Sequence, residues 1–114
     1  EEDKKKDMPA LIARGARVAF EMGADFIKTM YTGTPEGFRA VAQGCGAPIV
    51  VLGGPKMDSE RDLLEAVRGA LDSGAQGVAI GRNIWQHPQP ERVTSALRLL
   101  IHEDATVEEA MREL

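Results

Sequence analysis

The stretch GADFIKTMYTG, residues 23–33, has the pattern of a β-strand that ends in a turn, and it carries a lysine in its middle. A nearly continuous apolar run between glycines is typical of a strand covered on both faces. Alternation along this strand, over roughly residues 24–30, places Phe26, Lys28 and Met30 on one side. We therefore expect the amine of Lys28 to be buried among apolar neighbours, where its charged form loses hydration.

Two interpretations of Lys28 follow from this position. Burial and nearby cations both lower the pKa of a lysine, and the neutral amine is the form that attacks a carbonyl group. Alternatively, the aliphatic stem packs while the ammonium reaches the strand end or pairs with an aspartate. Position alone favours the second interpretation.

The pattern of strand, turn and helix recurs along the chain. A helix from Met8, with Pro9 in its first turn, precedes the lysine strand, and Gly23 fits the position just past the helix end. PIVVL, residues 48–52, and QGVAIG, residues 76–81, are two further strands that are each followed by a helix. Such repeats predict an α/β fold with parallel strands. A flavodoxin-like or Rossmann sheet and a (β/α)8 barrel share this local pattern.

The composition indicates one globular unit without a nucleic-acid partner. The 114 residues are 43% hydrophobic and 28% charged, and the formal net charge is −4. Basic residues are scattered rather than gathered on one stripe, which argues against nucleic-acid binding. The longest apolar run is far shorter than a membrane helix, so we expect a cytoplasmic protein with no membrane partner. The charged residues 1–7 are expected to be a frayed lead-in, and the single Cys45 cannot frame a metal site.

Two loops at the carboxyl ends of the later strands have the residues of a phosphate site. GGPK, residues 53–56, combines glycines that let the backbone approach a ligand with the positive charge of Lys56. GRN, residues 81–83, places Gly81 beside Arg82, whose guanidinium forks onto phosphate oxygens. Alternatively, GGPK is an ordinary turn and Arg82 is a surface arginine without a ligand. A (β/α)8 barrel usually builds its phosphate site from the loops after its last two strands.

In this order, GADFIKTMYTG, VVLGGPK and GVAIGRNIWQ resemble the C-terminal half of the archaeal-type class I fructose-bisphosphate aldolases. The relatives of that family include 2-amino-3,7-dideoxy-D-threo-hept-6-ulosonate synthase. The resemblance implies a (β/α)8 TIM barrel in which residues 8–114 supply about the last three βα units. It places Lys28 on the family's imine-forming lysine. It also assigns the binding of a substrate phosphate to five matching positions, Gly53, Gly54, Gly81, Arg82 and Lys56.

The resemblance implies a class I aldolase that forms a Schiff base with a phosphorylated sugar or keto substrate, without a metal or other cofactor. Lys28 would add to the substrate ketone and lose water to give an imine, which makes the adjacent carbon–carbon bond breakable. Alternatives are a transaldolase-type heptulosonate synthase, a catalytically incomplete half-barrel that acts through association, and a flavodoxin-like phosphate-binding module. Because three strands leave apolar surface and sheet edges open, we expect a homo-oligomer or association with the missing half-barrel.

Other conspicuous side chains are interpreted as structural. The family's proton-transferring groups lie on earlier strands, so Tyr31 is expected to pack under its loop. Trp85, His87 and His102 are expected to pack or to face solvent. Leu52 stands where the family has a small residue before the two glycines, which leaves the backbone to contact phosphate.

Overall fold

Helices and short parallel strands alternate in the computed structural model, which describes the backbone of residues 2–114 and the side chains from Asp7 onward. The order is α1 (Glu2–Glu21), β1 (Ile27–Thr29), α2 (Pro35–Gly44), β2 (Ile49–Leu52), α3 (Glu60–Asp72), β3 (Gly77–Ala79), α4 (Arg82–Trp85), α5 (Pro90–His102) and α6 (Val107–Met111). The predicted α/β pattern of strands that are each followed by a helix is confirmed.

The strands form one parallel sheet in the order β1-β2-β3. Lys28 pairs with Val50, and Val50 pairs with Gly77. Register partners point to the same face of a parallel sheet, so these residues share one face while Ile27 and Ile49 share the other. The carboxyl ends of the strands meet at one edge of the sheet, which brings their loops together.

The helices cover one face of the sheet, and the core lies there. Ile27 and Ile49 of the strands are buried with Phe38 of α2 and with Ile12 and Ala16 of α1. A second buried cluster joins α3, α5 and α6 and consists of Leu63, Leu64, Val67, Val93, Ala96, Leu97, Leu100 and Ala110. The helix-facing side of the strands is therefore mainly apolar, with Ile27, Ile49 and Val51 buried. No helix of the described residues is long and apolar enough to cross a bilayer.

Hydroxyl caps start the helices that follow the first two strands. The side chain of Thr34 accepts a hydrogen bond from the Gly37 N–H at 3.2 Å, and that of Ser59 accepts one from the Asp62 N–H at 3.1 Å. Each cap satisfies an N–H that lacks a partner within the helix, which stabilises a helix by about 1 kcal/mol. The caps therefore determine where the loops after β1 and β2 end.

The first helix begins before the predicted start at Met8. Its backbone is helical from Glu2, so Pro9 lies inside α1 rather than in its first turn. Glutamate and lysine are good helix formers and extend a helix without contributing to its apolar face, which is why apolar periodicity missed this part. Glu1 of the predicted lead-in lies outside the described residues.

Leu64→Ala should destabilise the chain strongly, whereas Leu11→Ala should not. Leu64 is fully buried at 0% exposure, and Leu11 in α1 is 59% exposed. Truncation of a buried leucine costs about 2–5 kcal/mol because it leaves a cavity, and an exposed truncation costs about 0.5 kcal/mol or less. Urea unfolding followed by circular dichroism measures both variants. Equal losses of unfolding free energy would contradict this packing.

Candidate active site

The carboxyl edge of the sheet brings the predicted site segments together. Lys28 lies in β1, the segment 53–56 follows β2 directly, and Gly81 with Arg82 follows β3. Since β2 is the middle strand, its loop lies between the lysine strand and the arginine loop. Parallel α/β sheets bind their ligands at this edge.

Lys28 lies on the sheet face that the helices leave open. Its side chain is exposed, and its neighbours Phe26 and Met30 are 63% and 43% exposed. Phe26 and Met30 lie outside β1, and the predicted burial of Lys28 is wrong for this chain. The physical reason is that α1 and α2 pack on the opposite face, against Ile27, and no described residue covers the lysine side.

A buried asparagine joins the two loops predicted to bind phosphate. Asn83 is 5% exposed, and its Nδ2 donates to the Pro55 carbonyl at 3.1 Å, with a longer contact of 3.5 Å to the Gly53 carbonyl. Its Oδ1 accepts a hydrogen bond from the Met57 N–H at 2.7 Å. The motif GRN contains Asn83 but predicts no role for it, because α4 has only four residues, too few for a periodicity that reveals burial.

The glycines of these loops allow close packing between them. A Cβ at Gly53 would lie 2.8 Å from Cγ2 of Ile80 and 3.3 Å from Nδ2 of Asn83, and a Cβ at Gly81 would overlap the ring of Trp85. Gly54 has a φ of 66°, a left-handed conformation that favours glycine. Side chains of Ile80 and Trp85 therefore lie directly against Gly53 and Gly81, and Gly54 is the glycine of these loops with open space beside it.

Basic side chains flank the same edge. Nζ of Lys56 donates to the main-chain carbonyl of Gln86 at 3.1 Å, which adds a second link between the two loops. Lys28 and Arg82 are exposed, and within residues 7–114 neither forms an ion pair. Their charges are therefore not neutralised by a described carboxylate.

Two cavities lie beside the sheet edge. One of about 630 Å³ lies between the loop after β1 and helix α3, and its lining includes Met30, Tyr31, Gly53, Leu63 and Ile80. Another of about 510 Å³ has a lining that includes Lys56, Glu60, Asn83 and His87. Lys28, Gly54, Gly81 and Arg82 line neither cavity. The structure therefore brings the predicted residues to one edge but does not enclose them in one cavity.

The residues predicted to be structural have structural contacts. The ring of Tyr31 packs on that of Phe38 with centroids 5.6 Å apart. Both ring nitrogens of His87 form hydrogen bonds. Nε2 bonds to the Glu60 carboxylate at 2.6 Å, and Nδ1 accepts a hydrogen bond from the Gln89 N–H at 2.9 Å. Both side chains are held by neighbours, which confirms their interpretation as packing residues.

Tyr31 should titrate above its ordinary range in the folded chain. Burial raises the pKa of its phenol above the ordinary 10.0, and the charges of Glu36 and Asp72 raise it further. Because the pKa of Tyr31 is higher in the folded chain, the neutral phenol favours the folded state. This contribution to the free energy of unfolding is fully present below pH 10.0 and is lost as pH rises through the folded pKa. The chain has one tyrosine, so the ultraviolet absorbance of tyrosinate reports Tyr31 alone.

The control for this titration is Tyr31→Phe, which should remove the alkaline absorbance change completely. The same titration in concentrated urea gives the midpoint of the unfolded chain. A folded midpoint equal to or below the unfolded one would contradict the described environment of Tyr31.

Comparison with known proteins relates the chain to aldolases. A family model described as "DeoC/LacD family aldolase" matches residues 1–87. The chain is 41% identical over 104 residues to an uncharacterized aldolase of Saccharolobus solfataricus, and the match covers 91% of this chain and 38% of that protein. It is 40% identical over 108 residues to a fructose-bisphosphate aldolase class 1 of Halobacterium salinarum, covering 95% of this chain and 41% of that protein.

The structural similarity covers a comparable part of the chain. A solved structure of a Schiff base-forming fructose-1,6-bisphosphate aldolase matches with a TM-score of 0.80 and 41% sequence identity, over 82% of this chain and 38% of that one. The chain thus spans about two fifths of the length of the curated relatives it matches, 38% and 41%.

Proposed function

The chain belongs to the DeoC/LacD aldolase family, and from this premise we propose that it carries the imine-forming part of a class I aldolase acting on a phosphorylated sugar or keto substrate. Its α/β fold is of the (β/α)8 barrel type expected from the sequence, in agreement with the structural match to a solved aldolase. We further propose that the chain supplies the C-terminal half of such a barrel.

One observation carries the proposal: Lys28 stands on the inner, open face of the sheet beside the glycine loops that follow β2 and β3. Its amine attacks the ketone carbon of the substrate, and loss of water gives a protonated imine. The imine accepts the electron pair of the adjacent carbon–carbon bond as that bond breaks, which gives an enamine on Lys28, while the other fragment leaves as an aldehyde after its hydroxyl group gives its proton to a base. The reverse sequence forms the bond.

We propose that the substrate phosphate binds at the loops 53–56 and 81–82. Gly53, Gly54 and Gly81 carry no side chain of their own to block the main-chain N–H groups, Gly54 has open space beside it, and the exposed Arg82 offers its guanidinium. Lys56 has donor capacity left beyond its bond to Gln86. A phosphate held there fixes the substrate carbonyl relative to Lys28, which lowers the entropic part of the barrier.

The open face of the sheet requires a cover before Lys28 becomes an efficient nucleophile. In this chain the amine is exposed to water, with the exposed side chains of Phe26 and Met30 beside it. We propose that further barrel strands, or a second copy of the chain, pack on this face. Removal of water from the ammonium then favours the neutral amine. We place the enzyme in the cytoplasm, where phosphorylated sugars are retained.

The proposal predicts a reduced covalent adduct on Lys28. The chain is incubated with fructose 1,6-bisphosphate and borohydride, and peptide mapping by mass spectrometry locates the modification. We expect Lys28 to be modified in preference to the other lysines, because the phosphate loops hold the ketone beside it. Lys28→Met should abolish the adduct, and omission of borohydride should leave no stable mass change.

Lys56→Met is the matched control, because it removes a lysine from the same edge without removing the nucleophile. It should keep the adduct on Lys28 at reduced yield. An adduct distributed over the exposed lysines without preference for Lys28 would contradict the proposed role.

A further inference from the structure

Asn83 differs from the other polar side chain that is buried in the described part of the chain, Ser73. The hydroxyl of Ser73 bonds to carbonyls of its own helix, Gly69 at 2.6 Å and Ala70 at 3.2 Å. The amide of Asn83 instead bonds to a loop 26 to 28 residues earlier in the chain, through Pro55 and Met57. A buried amide is costly unless it is bonded, so these long-range bonds hold that loop to Asn83.

The bonds of Asn83 determine which way the peptide groups of the loop face. None of the peptide bonds among the described residues is cis, and in a trans peptide the C=O and the following N–H point in opposite directions. The Pro55 carbonyl points toward Asn83 at 3.1 Å, so the Lys56 N–H points away from it. The Gly53 carbonyl makes the longer contact with Asn83, at 3.5 Å, so the Gly54 N–H also points away from Asn83.

These outward N–H groups are donors without acceptors. Within residues 7–114, no backbone or side-chain oxygen accepts a hydrogen bond from the N–H of Gly54 or of Lys56. The N–H of Met57 points the other way and is bonded to Asn83 at 2.7 Å. The loop therefore presents alternate N–H groups on one side, an arrangement that binds anions.

We propose that Asn83 is a positioning residue that aims the N–H groups of Gly54 and Lys56 at the substrate phosphate. The inference rests on the proposed function, in which this loop receives the phosphate. The link from Lys56 to the Gln86 carbonyl at 3.1 Å restrains the loop at a second point. Because the loop is held before the anion arrives, binding does not have to order it, and the affinity is correspondingly higher.

The test is a titration of the ¹⁵N-labelled chain with inorganic phosphate, followed by NMR. The amide signals of Gly54 and Lys56 should shift in a saturable manner, whereas the amide of Met57, which is already bonded to Asn83, should shift less. Asn83→Ala removes the amide without adding charge. It should weaken phosphate binding about tenfold, the size expected for the loss of one net hydrogen bond.

Ser73→Ala is the matched control, because it removes the other buried polar side chain at a position that bonds only within its helix. It should leave the phosphate affinity unchanged. An Asn83→Ala chain that is folded and binds phosphate as tightly as the unchanged protein would overturn the inference.

If Asn83→Ala does not fold, hydrogen exchange of the unchanged chain, measured with and without phosphate, tests the inference instead. Phosphate should slow exchange at Gly54 and Lys56, and slowing at neither amide would overturn the inference. This test does not involve the amine of Lys28. Failure of borohydride labelling would therefore count against the proposed imine chemistry of Lys28. Phosphate binding that is unchanged in Asn83→Ala would count against the role of Asn83 alone, and absence of any phosphate response at Gly54 and Lys56 would also count against the proposed phosphate site.

Discussion

The parallel pairing of β1, β2 and β3 is the constraint on which the rest of the structure depends. Parallel neighbouring strands need crossover connections, which are here α2 and α3. Because the strands follow one another in the order β1-β2-β3 and crossovers are right-handed, both helices lie on the same face of the sheet. The pairing thus creates a covered face, with Ile27 and Ile49 in the core, and an open face with Lys28. It also brings the loops after the strands to one edge.

The C-terminal helices pack together and hold β3. Val78 of β3 packs against both buried clusters, so the strand that leads to Gly81 is held between them. Arg68 of α3 donates to the carbonyls of Leu100 and Ala105, at 3.4 and 3.0 Å, which fastens the end of α5 to α3.

Much of the fold was predictable because its signals are local. Glycines such as Gly23 lie where φ is positive, and apolar runs lie where strands are buried, so the order of elements follows from sequence. The exposure of Lys28 was not predictable, because alternation gives the side on which a residue points but not what lies opposite. The role of Asn83 was hidden for a related reason: its partners, Pro55 and Met57, come from a different loop.

The open face has a consequence for how such a protein changes over generations. The residues that hold the chain together lie on the helix side, whereas Phe26 and Met30 beside the lysine are largely outside that core. A substitution at either position alters the surroundings of the amine while leaving the chain's own folding free energy almost untouched. Selection is therefore able to change the surroundings of Lys28 on one side of the sheet and keep the scaffold on the other.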